Sequence, residues 1–322
     1  NVGSNGEGIR FTSDGTTFLD FEIETYTGDS DKGSLIAWVE IPTLSASADT
    51  YFYIHYGNDG SVFQIDRSSQ VWDGQSTGGK TYVIANHLDS TPTSANNDKE
   101  MIGSLAGTKD DLAAGKSDMD ADNIVDGKIH KALEVNKGVA NNQFVCLETI
   151  DTNYHDCAGD SEIFTDGIWL TEGNVRSVSI WYKAVTTDNG SYQVIFEEGG
   201  SNGQSIYLFE DKIYGVTSRN SVVGYGSTAT TANEWHHVVL IWADDADSYL
   251  YHDGVLRETF TGKDFNRHTN EGALGHSDAS SARHESGNNG GGFSFDGIMD
   301  EFRVTDTRLP DDYIENMYNA EN

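Results

Sequence analysis

The sequence predicts an all-β protein built as a β-sandwich, and three observations support this. Short runs of β-branched and aromatic residues recur along the chain, each bounded by Gly, Asn, Asp or Ser. Glycine is abundant, with 35 residues against 3 prolines, which suits many tight turns between short strands. Helical periodicity is nearly absent, so helices are not expected to cover most of the core.

The predicted strands follow one another with short polar connections. In chain order they are SLIAWVEI, TYFYIHY, VRSVSIWYKA, YQVIFEEG, QSIYLFED, KIYGVTS, WHHVVLIWA, SYLYHDG, VLRETF and FDGIMDEFRV. The HDG at residues 252–254 predicts a β-hairpin, because Asp-Gly readily takes positive φ angles. Two segments have helical character: KDDLAAG, and the final PDDYIENMY, with Pro310 at a helix start and acids in its first turn.

Composition divides the chain into two parts. Its 322 residues allow one large core or two smaller ones. A compact strand-rich block ends near YFYIHYGNDGS, and a polar stretch precedes the next strand, TYVIANHLDST. We therefore expect a small N-terminal β-block at residues 1–66 and a larger domain at residues 67–322.

The charge balance excludes some partners. Acidic residues outnumber basic ones by 52 to 20, for a formal charge of −32, so phosphate backbones and anionic lipid surfaces are repelled. A salt-rich habitat, bound cations and simple solubility all remain open as reasons for this charge. The chain has no apolar run of about 18 residues, so no membrane insertion is expected. The opening NVGSNGEGIRF suggests a mature or excised chain.

The two cysteines predict a disulfide. Cys146 and Cys157 stand at either end of CLETIDTNYHDC, without a histidine at ligand spacing. In an oxidising compartment, pairing across such a loop contributes about 3 kcal/mol to stability. A secreted or cell-surface location is therefore expected.

Several motifs together resemble a known family. They are YVIANHLDST, VDGKIHKALEV, VSIWYKA, EWHHVVLIWADDADSYLYHDGVL and FDGIMDEFRVTDTRLPDDYI. In order and spacing, residues 81–319 resemble the LamG-like (laminin G, concanavalin A-like) jelly-roll domains of bacterial and archaeal surface proteins. Residues 8–59 resemble an uncharacterised β-domain that often precedes such jelly rolls, without its usual opening strand. A sheet edge there is expected to be covered by the jelly roll, the terminal segment or another copy of the chain.

The resemblance also implies a structural calcium. In related jelly rolls an aspartate of the last strand commonly holds the ion together with ligands near the first strand, and the matching positions are Asp300 and Asp89. A carboxylate inside an apolar strand needs a cation or several donors. The alternatives to calcium are capping hydrogen bonds or a salt bridge with Arg303.

A second calcium candidate is SDMDADNIVDGK. Asp118, Asp120, Asp122 and Asp126 fall at positions 1, 3, 5 and 9 of a calcium loop. Position 12 is Ile129 instead of glutamate, and the segment also fits an ordinary loop leading into a strand. Both interpretations stay open.

Two polar segments are candidates for ligand recognition. HSDASSARHESGNNGGG is longer than a hairpin needs, and SRNSVVGYG offers an aromatic ring on which a sugar could stack. The alternative is solvated loop. The candidate residues are Arg219, Tyr225, His276, Asp278, Arg283 and His284.

The sequence gives little support for catalysis. FLDFEIETY places Asp20, Glu22 and Glu24 on one strand face, an arrangement that some glycoside hydrolases use, but an exposed strand face is the better interpretation. His236 and His237 are read as part of a core strand. No nucleophile elbow, phosphate loop or zinc spacing occurs.

These observations leave three hypotheses. The first is a non-enzymatic, calcium-stabilised binding module of the adhesin type, with a glycan or other extracellular polymer as its partner. The second is a structural subunit of an extracellular filament or layer, with other copies of the chain as partners. The third, a polysaccharide-degrading enzyme, rests on the acidic strand alone.

Overall fold

The structure is a computed structural model that divides the chain into two compact units, Asn1–Tyr82 and Val83–Asn322. Among the residues that the structure describes, no helix has the length and apolar character needed to cross a lipid bilayer. The described residues are 2–28, 32–45, 47–57, 71–72, 82–89, 108–111, 119, 121–136, 143–146, 175–198, 202–242, 247–263, 272–276, 283–284, 293–305 and 307–322.

The described part of the N-terminal unit contains two antiparallel strand pairs. Strand β1 (Arg10–Thr12) pairs with β4 (Tyr53–His55), and β2 (Phe21–Gly28) pairs with β3 (Gly33–Val39). A small apolar core holds them together, formed by Ile9, Phe11, Leu19 and Phe21.

The acidic strand of this unit differs from its predicted exposure. Glu22 is buried and accepts a hydrogen bond from Trp72 Nε1 at 2.6 Å, while Glu24 accepts one from Trp38 Nε1 at 2.8 Å. The expectation of an exposed face is wrong at Glu22, because indole donors far along the chain satisfy its carboxylate.

The described part of the C-terminal unit contains two large antiparallel sheets. Their strands are β5 (Tyr82–Asn86), β6 (Thr108–Asp111), β7 (Ile124–Asp126), β8 (Lys131–Val135), β9 (Gln143–Cys146), β10 (Arg176–Ala184), β11 (Gln193–Glu198), β12 (Gly203–Phe209), β13 (Lys212–Arg219), β14 (Val222–Ala229), β15 (His236–Trp242), β16 (Asp247–His252), β17 (Val255–Thr261), β18 (Gly272–Leu274) and β19 (Gly297–Thr305). The eight-stranded sheet has the order β17–β16–β15–β10–β19–β8–β7, with β5 paired beside β19, and the seven-stranded sheet has the order β14–β13–β12–β11–β18–β9–β6.

The two sheets pack face to face around one apolar core. Alternate residues of β10 and β15 meet alternate residues of β11, β12 and β13, as period-2 alternation requires. Ile180 and Leu240 from the first sheet, with Ile206 and Ile213 from the second, are completely buried. The all-β sandwich predicted from the sequence is confirmed.

A β-bulge in β19 explains the two carboxylates in this strand. Between the pairs Trp181↔Asp300 and Ser179↔Arg303, strand β19 has one residue more than β10, and Glu301 takes a φ of 53°. The extra residue lets both Met299 and Phe302 enter the core. Asp300 and Glu301 therefore lie next to each other between the core residues Met299 and Phe302. In a strand without a bulge, side chains would alternate strictly, and one of the two carboxylates would point into the apolar core.

Helix α1 (Asp311–Glu321) packs on the outer face of the eight-stranded sheet. Ile314 and Met317 belong to one apolar cluster with Val239 and Ile241 of β15. Pro310 precedes the helix in an extended conformation, so the predicted C-terminal helix is confirmed.

Two further local predictions have opposite outcomes. The hairpin is confirmed, because Asp253 and Gly254 take φ angles of 54° and 73°. The helix predicted at KDDLAAG is wrong at its start, because Thr108–Asp111 form β6 and pair with β9.

Candidate binding face on the seven-stranded sheet

The outer surface of the seven-stranded sheet carries a cluster of rings, which we call the aromatic face. Antiparallel register aligns Tyr207 with Tyr214 on neighbouring strands and Val216 with Tyr225 on the next pair. Side chains two apart on a strand share a face, so these residues project together, away from the sandwich core. The aromatic face consists of Tyr192, Tyr207, Tyr214, Tyr225 and His284.

His284 lies at the centre of the aromatic face. Its ring stacks on Tyr214 with centroids 4.3 Å apart and lies 5.4 Å from the Tyr225 ring. The Tyr207 hydroxyl accepts the backbone N–H of His284 at 2.9 Å and lies 2.7 Å from its Nδ1, which suits donation to that nitrogen. Two hydrogen bonds to one hydroxyl therefore fix this loop residue on the sheet.

Arg283 extends the same contact. Its guanidinium lies 4.7 Å from the centroid of the Tyr192 ring and 5.2 Å from that of Phe293. Both distances fall within the range of cation–π attraction, which contributes about 0.5–1 kcal/mol at exposed sites. Arg283 and His284 thus attach one loop to the sheet at two adjacent points.

Exposure distinguishes the rings that can meet a ligand from those that support them. Tyr207 is fully buried and Tyr214 is 5% exposed, whereas Tyr225 is 45% exposed. Burial raises the pKa of Tyr207 well above its ordinary value, so its hydroxyl remains protonated. Tyr225 is the ring of this face that is open to solvent, on the edge strand β14.

The sequence-predicted ligand residues do not all reach this face. Tyr225, Arg283 and His284 come together there. Arg219 pairs with Val222 at the end of its hairpin. It is an odd number of residues from Tyr214 on the same strand, so its side chain points to the opposite side of the sheet from the aromatic face. His276 is 2% exposed, stacks on Phe144 and hydrogen-bonds Ser294 through Nδ1 at 3.0 Å. A buried histidine of this kind is an unsuitable ligand contact.

Asp278 lies outside the described residues. Sequence reasoning missed Tyr192, Tyr207 and Tyr214. The available signal was the position of Tyr207 and Tyr214 beside core residues in SIYLF and KIYGV, which places both on the outer face.

The predicted calcium residue Asp300 is held by backbone donors. Its Oδ2 accepts the N–H groups of Lys128 at 2.7 Å and Ile129 at 3.0 Å. Gly127 is required beside it, because a Cβ there would lie 2.6 Å from the same oxygen. These two backbone donors supply the capping hydrogen bonds that the sequence offered as the alternative to calcium. Asp89 lies three residues beyond β5 and is half-buried, and a calcium ion shared with Asp300 stays a prediction.

The second calcium candidate is only partly described. Asp122 and Asp126 are exposed, and Asp118 and Asp120 lie outside the described ranges. The Lys131 ammonium hydrogen-bonds Asp126 at 2.7 Å and holds the pKa of that carboxyl below its ordinary value. Calcium binding by this loop also stays a prediction.

The predicted disulfide falls largely beyond the described part of the chain. Cys146 ends β9, and Cys157 lies outside the described residues. The pairing of the two thiols stays a prediction.

The two-sheet antiparallel sandwich of the C-terminal unit has a lectin- or glucanase-like β-sandwich fold. Residues 158–315 match the family model of the concanavalin A-like lectin/glucanases superfamily, of the laminin G type. Residues 5–78 match the model of a domain of unknown function, DUF2341. The resemblance identified in the sequence is confirmed for both parts.

Several solved structures match the chain at low identity. Domain 4 of AbnA, an extracellular arabinanase from Geobacillus stearothermophilus solved with arabinotriose, is 18% identical, and the match covers 75% of this chain and 100% of that chain at a TM-score of 0.49. The receptor-binding domain of botulinum neurotoxin C/D mosaic serotype is 12% identical over 74% of this chain and 51% of that chain, with a TM-score of 0.45. The binding domain of Paraclostridial Mosquitocidal Protein 1 is also 12% identical. The match covers 74% of this chain and 52% of that chain at a TM-score of 0.45.

The chain therefore matches about half the length of the two toxin domains. Likeness at these identities and TM-scores carries no argument about ligand or activity. None of the curated proteins compared with the chain matches it.

Proposed function

We propose that the chain is an extracellular or cell-surface binding module that recognises carbohydrate on its aromatic face. The observation that carries this proposal is the half-exposed ring of Tyr225, which lies beside the imidazole of His284. A flat apolar ring next to fixed polar groups is the combination with which proteins bind sugar rings.

The surroundings of Tyr225 support a preformed site. Tyr214 is nearly fully buried beneath His284, and the Tyr207 hydroxyl fixes the backbone and ring of the same histidine. Binding of a ligand to Tyr225 and His284 would therefore cost little conformational entropy in these groups, which favours affinity.

We propose that this face binds without catalysis. Glycoside hydrolysis needs two carboxyl groups on either side of the scissile bond. Register places one buried carboxylate, Glu197, in the row Glu197–Ser205–Val216–Tyr225. The acidic residues Glu22 and Glu24 are held by tryptophan N–H groups in the N-terminal unit, which suits a structural role.

Calcium, secretion and the Cys146–Cys157 disulfide belong to the same proposal. The formal charge of −32 favours cation uptake and solubility outside the cell. A disulfide is stable in that compartment.

The test is binding of the purified full chain to a glycan array, followed by calorimetry with the best polysaccharide. Tyr225→Ala should weaken binding about tenfold, equivalent to about 1.4 kcal/mol. Tyr225→Phe keeps the ring and should bind nearly as the wild type does.

Val222→Ala is the matched control for this experiment. Val222 is 57% exposed on the same strand but out of phase with Tyr225, so its truncation should not change affinity. A wild type that retains no glycan, or Tyr225→Ala binding as tightly as the wild type, would overturn the proposal.

One observation favours the second candidate, a subunit of an extracellular assembly. The segment around β4 exposes a run of large apolar side chains, and within the described part of the chain β4 pairs with β1 alone. Edges of this kind accept strands from other chains. The exposed fractions are Tyr51 71%, Phe52 48%, Tyr53 52%, Ile54 46% and Tyr56 75%.

Light scattering distinguishes this candidate from the first. Concentration-dependent polymers that disappear in Ile54→Lys would support an assembly role. A monodisperse monomer at all concentrations would exclude it and leave glycan binding untouched.

A further inference from the structure

Three potential metal ligands converge at one end of the eight-stranded sheet, away from the aromatic face. His236 begins β15, His252 ends β16, and Asp253 lies in the turn that follows. One ligand atom from each of the three side chains lies within 4.8 Å of the others. We call them the His-His-Asp cluster.

The turn fixes the carboxylate of the cluster. Asp253 takes a φ of 54°, and its N–H donates to the His237 carbonyl at 2.8 Å. Its Oδ1 accepts the His237 N–H at 3.0 Å. Its Oδ2 is left facing His236 Nδ1 at 2.9 Å and His252 Nδ1 at 3.6 Å.

Hydroxyl groups orient both imidazoles from behind. His236 Nε2 lies 2.8 Å from Thr231 Oγ1, and His252 Nε2 lies 3.0 Å from the Tyr182 hydroxyl. Tyr182 is itself fixed by Thr230 at 2.7 Å. Partners of this kind on the second ring nitrogen direct the first towards a metal and fix the ring orientation.

We propose that the His-His-Asp cluster binds one divalent first-row transition metal ion, of which zinc is the natural probe. The Nδ1–Oδ2 separations of 2.9 and 3.6 Å bracket the spacing of a tetrahedral site, about 3.3 Å for bonds of about 2.0–2.1 Å. Two imidazole nitrogens and one carboxylate oxygen suit zinc, copper or nickel, whereas calcium prefers oxygen ligands throughout.

Access from solvent agrees with this assignment. The side chains of His236 and Asp253 are 11% and 22% exposed, which leaves the metal a route from solvent and a fourth position for water.

Two cations act against the metal. Lys128 interacts electrostatically with Asp253, and Arg257 with His252. Their repulsion reduces the affinity relative to a site without them.

The test is a zinc titration of the tag-free, chelator-treated full chain in excess calcium, in competition with a chromophoric chelator. Calcium saturates oxygen sites, so that the titration reports the imidazole site. The wild type should bind one equivalent and melt at a higher temperature with zinc. His236→Gln should weaken binding at least about tenfold, since one of three ligands is lost.

A second variant and a control keep the result clear if His236→Gln is poorly folded. Asp253→Asn retains a residue that tolerates positive φ and an oxygen for the His237 N–H, so its circular dichroism should match the wild type while zinc affinity falls. His130→Gln alters an exposed histidine outside the cluster and should bind as the wild type does. A wild type without stoichiometric zinc, or both cluster variants binding as tightly as the wild type, would overturn the proposal.

Discussion

Replacing Arg303 by methionine removes the cation that holds two carboxylates between the eight-stranded sheet and helix α1. Arg303 is 2% exposed, and its Nη1 donates to Glu321 Oε1 at 2.7 Å. Its Nη2 donates to Glu301 Oε2. Burial raises the pKa of Glu321, whereas for Glu301 the charges of His87 and Arg303 offset burial and hold the pKa below its ordinary value.

The expected loss in the free energy of unfolding is about 3 kcal/mol, the lower end of the range for a broken buried ion pair. Glu301 keeps the His87 Nδ1 contact at 2.8 Å, and Glu321 keeps Trp181 Nε1 at 2.6 Å, so neither carboxylate loses every partner. Adding Glu321→Gln removes the less compensated charge but keeps an acceptor for the indole. The double variant should regain about half of the loss.

Urea unfolding followed by tryptophan fluorescence measures these differences, provided that the slope against denaturant is unchanged. The decrease in the free energy of unfolding caused by Arg303→Met should be smaller at pH 5 than at pH 8. Without the guanidinium, Glu301 and Glu321 bind protons more readily in the folded state, so the stability of the variant falls as the pH rises. Arg308→Met is the matched control, since Arg308 and its partner Asp311 are 42% and 63% exposed. A loss of about 1 kcal/mol or less at Arg303, as for a surface pair, would refute the reasoning.

Three other predictions concern single sites. Burial lowers the pKa of His237 to about 3, so the wild type should lose about 2 kcal/mol between pH 7 and pH 5 through this group, and His237→Met should lack that part of the pH dependence. Chelator should lower the melting temperature of the wild type and calcium restore it, while Asp300→Asn should respond less; identical wild-type melts in chelator and calcium would count against this site. Intact mass with thiol labelling should show Cys146 bonded to Cys157, and two free thiols in protein from its oxidising compartment would end that prediction.

Local patterns in the sequence were enough for the strands, the Asp253–Gly254 hairpin and the C-terminal helix. Each depends on neighbouring residues: alternation with period 2, the positive φ that Asp-Gly tolerates, and a proline followed by acids at a helix start. These local preferences do not depend on contacts with residues distant in sequence, so the folded chain keeps the structures that they predict. The error at residues 108–111 has the opposite cause, because pairing with β9 overrides the helical pattern of KDDLAAG.

The candidate site was only partly readable. Tyr225, Arg283 and His284 were identified as polar or aromatic residues in loop-like segments, but the sequence could not show that two of them stack over the same sheet. That depends on which strands pair and in which register, and on where a long loop returns to the surface.

The sequence alone determined the class of this protein: an all-β sandwich, acidic, with a short N-terminal β-block. Tertiary structure decided what its charged residues do. The bulge at Glu301 places Asp300 and Glu301 together, and the carboxylates then meet donors from residues 87, 128, 129 and 303. Only the assembled sheet brings His236 within 2.9 Å of Asp253. The physical reason is that hydrogen bonds and ligand sets act over a few ångströms, whereas their members are separated by tens to hundreds of residues until the sheets form.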